Sequence, residues 1–262
     1  RDRTPVLVDD IASSGRTLSV VTHQLVGQGL RQPECVVVHA LLDEAAYLKL
    51  LTKTVNQVLQ APGRHVQSVA QASFDAWVKF YRMDENTPNA TISYYSKGAL
   101  VALCLDLTLR REGRSTLDDV MRALWQRCSG GPMAESDLRA VLQQLTGRSF
   151  DAEIDAWIHS TADLPLTELL AAHGVALQPE AAQPAQRLGL RVSENHAVQI
   201  KTVLRGGLAE RAGMAAGDEW LGIEVDGQGW RLSKLEQLQL LAGDGAAITA
   251  LVSRDGRLLR LP

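Results

Sequence analysis

Gly206-Gly207-Leu208-Ala209-Glu210-Arg211-Ala212-Gly213-Met214, followed by Gly217-Asp218-Glu219-Trp220-Leu221-Gly222-Ile223, decides how the C-terminal third of this chain is built. The paired glycines make a turn, the next residues allow one helical turn, and Gly217-Asp218 turns the chain into a strand. Short alternating runs surround this stretch. Val198-Gln199-Ile200-Lys201-Thr202-Val203 alternates strictly, as a half-buried strand does. Leu188-Gly189-Leu190-Arg191-Val192 reads as a strand entered through a glycine. Ile248-Thr249-Ala250-Leu251-Val252 and Leu258-Leu259-Arg260-Leu261 flank a tight Asp255-Gly256 turn. Leu232 to Leu241 is amphipathic, with Ser233 near its cap. Upstream, the Pro-, Ala- and Gln-rich run from Gln178 to Gln186 is a linker by composition.

The Ala-Glu-Arg-Ala-Gly-Met pattern at 209–214 with Gly217-Asp218 resembles bacterial PDZ domains over residues 185–262. That resemblance implies capture of peptide or protein C-termini by β-augmentation, in which the peptide adds a strand to a sheet edge. Leu188-Gly189-Leu190 matches the carboxylate-binding loop, where Gly189 lets backbone N–H groups converge on a terminal carboxylate. The strand from Leu190, including Val192, would pair with the peptide. The helix from Ser233 would form the other wall, with Leu235 and Leu238 either pocket residues or ordinary core. No histidine begins that helix, so no ligand class is assigned.

From Asp43 to about Gln178 the period becomes helical. Tyr47, Leu48, Leu50, Leu51, Val55 and Leu59 mark a first helix ending near Pro62-Gly63. Phe74, Trp77, Val78 and Tyr81 predict a short second one. Lys97 to Arg111 is apolar nearly all round, which predicts a central buried helix. Thr116 caps the next helix, with Asp119 reaching back, and Leu117, Val120, Met121, Leu124, Trp125 and Cys128 on its apolar face. Another helix carries Leu138, Val141, Leu142 and Leu145, and Gly147 stops it.

Within this region, Gly63-Arg64-His65-Val66-Gln67-Ser68-Val69-Ala70, Ser73-Phe74-Asp75-Ala76-Trp77, Ser93-Tyr94-Tyr95-Ser96-Lys97-Gly98-Ala99-Leu100 and Leu117-Asp118-Asp119-Val120-Met121 together resemble the glycyl-aminopeptidase family of zinc metallopeptidases. The resemblance covers roughly Asp43 to Leu177, a helical subdomain that follows the zinc site. Members of that family commonly carry a PDZ domain after it. Related zinc aminopeptidases use a Tyr-x-Lys-Gly tyrosine to steady the oxyanion as zinc-bound water attacks the carbonyl. Tyr95 matches that tyrosine, either as a vestigial transition-state residue or as packing at a helix start.

The zinc-binding His-Glu-x-x-His pattern is missing from the sequence. None of the six histidines, at positions 23, 39, 65, 159, 173 and 196, lies four residues from another. Zinc is therefore not expected, no metal ligands are assigned, and independent peptidase activity is not expected.

The chain begins differently. Val6-Leu7-Val8 is a short buried strand, Asp9-Asp10 follows, and Ile11-Ala12-Ser13-Ser14-Gly15-Arg16-Thr17-Leu18 is a small-residue loop running into a helix. Free backbone N–H groups and hydroxyls there suit a phosphate. The segment resembles the PRPP loop of type I phosphoribosyltransferases and ribose-phosphate pyrophosphokinases. Asp9 and Asp10 match the acids that face the ribose hydroxyls, with Mg as a possible companion of a sugar phosphate. Ser13, Ser14, Gly15, Arg16 and Thr17 match the 5-phosphate loop. Val36 to Leu41 supplies a second strand, which makes residues 1–42 one βαβ fragment. Ribose 5-phosphate is the ligand this alternative implies.

The expected architecture is thus α+β and multidomain: a short βαβ fragment at 1–42, a mostly helical subdomain at 43–178 and a small β-rich PDZ domain at 185–262. With 262 residues, 45% of them hydrophobic, 22% charged and a net charge of −3, the chain is ordinary for a globular protein and lacks the basic field that would suit nucleic acid. No apolar run approaches membrane-spanning length. Cys35, Cys104 and Cys128 are far apart and read as buried free thiols. The chain starts at Arg1, which leaves its N-terminus incomplete and gives only a slight preference for the cytoplasm.

Overall fold

A computed structural model describes residues 6–9, 34–37, 43–129, 131–179, 181–243 and 247–262. By its contacts the chain forms two compact units. One comprises Arg1–Val58, Tyr95–Ile158 and Leu164–Val175; the other comprises Leu59–Tyr94, His159–Asp163 and Ala176–Pro262. The architecture is α+β, with many helices and a mainly antiparallel sheet. The units do not follow linear order, because residues 59–94 cluster with the C-terminal sheet.

In the first unit, β1 (Val6–Asp9) and β2 (Glu34–Val37) pair in parallel, with Val6 opposite Glu34 and Asp9 opposite Val37. Helix α1 (Glu44–Leu59) buries Val55 and Val58. As the apolar run 97–111 predicts, α4 (Tyr94–Glu112) is the central helix, and none of its residues from Leu100 to Leu109 is exposed. Helices α5 (Leu117–Cys128) and α6 (Glu135–Thr146), with the short α7 (Asp151–Ile154), complete a core of Leu109, Val120, Leu124, Val141, Leu142, Phe150 and Ile154. Each such side chain contributes about 1.5–3 kcal/mol over exposure. Met121 and Trp125, read as part of the apolar face of α5, are instead exposed. Helix α8 (Leu166–Ala172) buries Leu166, Leu169 and Leu170.

The caps follow the sequence closely. The Thr116 hydroxyl accepts the Asp119 N–H at 3.3 Å, and the Asp119 carboxylate accepts the Thr116 N–H at 2.9 Å. The Thr116 hydroxyl also donates to the Asp119 carboxylate at 2.8 Å, and this bond, with the one from the Thr116 N–H, holds the Asp119 carboxyl below its ordinary range. Asp106 of α4 accepts the Leu117 N–H at 2.8 Å, so a neighbouring helix satisfies another donor of the same terminus. Gly147 ends α6 at φ +77°, where a side chain would be strained.

In the second unit, α2 (Val69–Phe74) starts at Ser68 in a reciprocal capping box with Gln71. It ends at Phe74. The helix read across Phe74, Trp77, Val78 and Tyr81 is not formed; turns replace it, and all four side chains are exposed. Helical spacing there marks an apolar stripe but supplies nothing to bury it. A tight crossing sets Gly63, where a Cβ would lie 2.1 Å from the Thr91 carbonyl oxygen. Within α3 (Thr87–Ala90), buried Asn89 fastens this segment to the sheet. Its side-chain amide donates to the Val203 carbonyl at 2.8 Å and accepts the Arg205 N–H at 2.9 Å.

Short α9 (Pro184–Leu188) precedes β3 (Leu190–Ser193), and α10 (Leu208–Arg211) follows β4 (Val198–Val203). Then come β5 (Glu219–Val225), β6 (Gln228–Arg231), α11 (Gln237–Ala242), β7 (Thr249–Arg254) and β8 (Arg257–Leu261). The sheet order is β3-β4-β5-β7-β8, with β6 also on β5, and neighbours are antiparallel. Strand β3 therefore lies at an edge. The alternation read at 198–203 is realised: Val198, Ile200 and Thr202 are buried, while Gln199 and Lys201 are exposed. Trp220, 0% exposed, is the largest buried side chain of this core, and its indole N–H donates to the Gly222 carbonyl at 2.9 Å.

Two boundaries differ from the sequence reading. The linker ends in helix α9, so Leu188 closes a helix and the strand starts at Leu190. Helix α11 begins at Gln237 rather than Ser233. The Gln237 side chain accepts the N–H groups of Ser233 and Lys234, and Glu194 accepts that of Leu235 at 2.7 Å. These bonds fold residues 233–235 without a helix.

Candidate functional site

Of the acids and loop proposed to hold a sugar phosphate, Asp9 ends β1. Asp10, Ser13, Ser14, Gly15, Arg16 and Thr17 lie outside the described residues, as does the helix expected between β1 and β2.

Tyr95 sits in the first turn of α4 and is 46% exposed. Two residues on, Lys97 is buried at 1%. The preceding Tyr94 belongs to an aromatic cluster: its hydroxyl lies 3.3 Å from that of Tyr81, and its ring meets Phe80 edge-on at 5.4 Å. Trp77 and Tyr81 are 5.0 Å apart between ring centres. The described residues hold no donor set that matches the zinc implied by the family resemblance. Among the described residues no three His, Cys, Asp or Glu converge.

Cys104 is buried and free, and burial pushes its thiol up to about 12, far from the thiolate a nucleophile requires. Cys128 is free and half-buried; Cys35 lies in β2.

The C-terminal unit contains a cavity of about 790 Å³ among α9, α10, α11 and the beginning of β7. Its apolar walls include Leu188, Leu208, Met214, Leu238 and Ile248, over a floor of buried Trp220. Two of the six residues predicted for peptide binding, Leu188 and Leu238, meet in this cavity. Gly189, Leu190, Val192 and Leu235 do not line it. Leu190 and Leu235 are core, at 3% and 4% exposure, and Val192 packs against that core half-buried.

Gly189 has a structural task. It caps α9 at φ +74°, and its N–H donates to the Gln186 carbonyl at 3.1 Å. A Cβ on it would come within 2.9 Å of the Gly207 Cα, and one on Gly207 within 2.8 Å of the Leu188 carbonyl oxygen. Two glycines are thus needed where these backbone segments cross.

The Gly-Asp signature is equally structural. Asp218 is 0% exposed, accepts the Ala215 N–H at 2.9 Å, and receives two hydrogen bonds from Arg254 at 2.7 and 2.8 Å. Burial by itself would raise its pKa; the Arg254 bonds and the Ala215 N–H outweigh that and hold the carboxyl below its ordinary value. Arg254 also donates to the Gly213 carbonyl at 2.8 Å. The sequence reading missed Arg187 and Arg211, which line the cavity. Arg211 was visible inside the Ala-Glu-Arg-Ala-Gly pattern; Arg187 carried no signal.

Residues 34–101 match the family of M61 glycyl aminopeptidases. The fold is similar to the crystal structure of an aminopeptidase N family protein from Idiomarina loihiensis, with a TM-score of 0.73 and 29% sequence identity. The likeness covers 94% of this chain and 43% of that protein, so the chain spans less than half the relative's length. Among curated proteins nothing matches. Both matches support the aminopeptidase-like resemblance, and neither supports the phosphoribosyltransferase one. The family match starts within β2, inside the stretch assigned to a βαβ fragment. The structural match covers too much of the chain for all of residues 1–42 to lie outside it.

Proposed function

We propose that this chain is the peptide-binding portion of a glycyl-aminopeptidase-like metallopeptidase, and that residues 185–262 act as a PDZ module taking peptide C-termini by β-augmentation. The observation that carries this reading is the edge position of β3. It pairs with β4 on one side and has no strand on the other among the described residues. An unpaired edge offers a row of backbone donors and acceptors to an extended peptide. The Glu194–Leu235 bond ties the end of β3 to the segment leading into α11, which supports α11 as the second wall of a groove. Leu188 and Leu238 are the pocket candidates that the cavity geometry favours.

In this reading Tyr95 is the vestigial counterpart of the oxyanion-steadying tyrosine of related zinc aminopeptidases. Among the described residues no group of His, Cys, Asp or Glu is placed to hold a metal beside it, and the activity proposed for this chain is peptide binding.

The test is titration of the protein with peptides of apolar C-terminus, followed by backbone amide NMR. Binding in the micromolar range should shift the amides of Leu190 to Ser193 most and should be lost on C-terminal amidation. Equal binding of acid and amide with no change in β3 would overturn the reading.

A further inference from the structure

Strand β4 outruns its neighbour β5: the two pair only at Val198 and Gln199, opposite Trp220 and Glu219. At the far end of β4 the Asn89 side chain stands where a strand would. Its amide donates to the Val203 carbonyl at 2.8 Å and accepts the Arg205 N–H at 2.9 Å, the two bonds one residue of an adjoining strand supplies. The second amide hydrogen goes to the Asn86 side-chain oxygen at 3.1 Å. A flipped amide would set oxygen against the Val203 carbonyl, so its orientation is fixed by these partners. Asn89 is 6% exposed, and two residues on, Thr91 crosses over Gly63 and donates its hydroxyl to Gln67.

Leu204, between the two residues that Asn89 binds, points the opposite way. Its N–H donates to the Gly189 carbonyl at 2.7 Å. The next pair along is Leu190 opposite Val203. Antiparallel pairs alternate between bonded and non-bonded, which turns the Leu190 N–H away from β4 and toward the open edge of β3. The Gly189 N–H already closes α9 on the Gln186 carbonyl. Leu190 therefore presents the N–H of this loop that faces an incoming peptide.

We propose, resting on the peptide reading above, that Asn89 is a positioning residue for the carboxylate loop although it lies outside residues 185–262. By holding Val203 and Arg205 it fixes Leu204, Leu204 fixes the Gly189 carbonyl, and the Leu190 N–H is thereby aimed at the terminal carboxylate. Residues 59–94, part of the stretch that matches the aminopeptidase family, so take part in the peptide site.

The experiment titrates the whole chain with a free-acid peptide ending in valine, read by calorimetry and backbone amide NMR. Asn89→Ala should weaken binding about tenfold. At saturation the peptide-induced shift of the Leu190 amide should shrink, while those of Val192 and Ser193 remain. Arg254→Ala, which destabilises the same unit away from β3, should leave the affinity unchanged. Arg205→Pro tests the link without touching the core. The Gly207 N–H closes a turn on the Leu204 carbonyl at 3.2 Å with Gly206 at φ +80°, and proline suits the second position of such a turn. It removes the N–H that Asn89 accepts and should bind about threefold more weakly than Arg205→Gln, which keeps it. No binding by the unaltered chain would sink the peptide reading and this proposal together. Binding that neither Asn89→Ala nor Arg205→Pro alters, or that Arg254→Ala weakens equally, would overturn this proposal alone.

Discussion

Asp119 in the helical unit and Asp218 in the sheet unit make the same local bond. Each accepts the backbone N–H of the residue three positions earlier, Thr116 in one case and Ala215 in the other. Their surroundings differ completely. Asp119 adds a hydroxyl and a solvent-facing Arg122. Asp218 is sealed from water and clasped by both arms of Arg254. The contrast teaches that a cap of one chemical form acts as a local convenience at the surface and as a fixture of the fold in the interior. Exposed ion pairs contribute roughly 0–1 kcal/mol. A buried charge deprived of its partner costs about 3–5 kcal/mol.

The sharpest way to break the comparison is Arg254→Ala. Arg254 keeps a third of its side chain in solvent, which puts the expected loss at the low end, about 3 kcal/mol by urea unfolding. A loss no larger than that from Arg122→Ala would erase the distinction. The same pair should govern acid stability. The folded carboxyl of Asp218 titrates below its unfolded value near 3.9. Its contribution is therefore fully present above about pH 4 and disappears as pH falls through the lowered folded value. Asp218→Asn should flatten the acid limb of thermal melts followed by circular dichroism, and an unchanged limb would contradict this.

Asn89→Ala tests whether burial alone, without charge, gives comparable weight. It leaves the Val203 carbonyl and the Arg205 N–H without this side-chain partner, and about 2 kcal/mol should be lost. Thr116→Ala should be the mildest, about 1 kcal/mol, measured as a small shift in the denaturation midpoint. A Thr116 effect equal to that of Arg254 would mean that position, not burial, sets the scale.

What the sequence disclosed follows the range of the interactions involved. The Thr116–Asp119 box, the Gly147 stop, the buried helix at 97–111 and the alternation of β4 rest on neighbours in sequence, and all were legible. The late start of α11 was not, because Glu194, 41 residues upstream of Leu235, holds that amide. Nor was α9, a helix of five residues whose terminal glycine reads equally well as a loop. The stripe from Phe74 to Tyr81 gave its spacing but not its exposure. For the candidate site, Leu188 and Leu238 were foreseeable from an apolar pattern. Their convergence with Arg187 and Arg211 depended on how α9, α10 and α11 come together.

The chain has five tryptophans, at positions 77, 125, 157, 220 and 230. Trp77, Trp125 and Trp230 face solvent, Trp157 is half-buried, and Trp220 alone is fully enclosed, its N–H engaged by the backbone. Its emission will lie to the blue of the others and resist quenching by iodide. Formation of the sheet can therefore be followed optically without any label, and the same indole, forming the cavity floor, will report what enters above it.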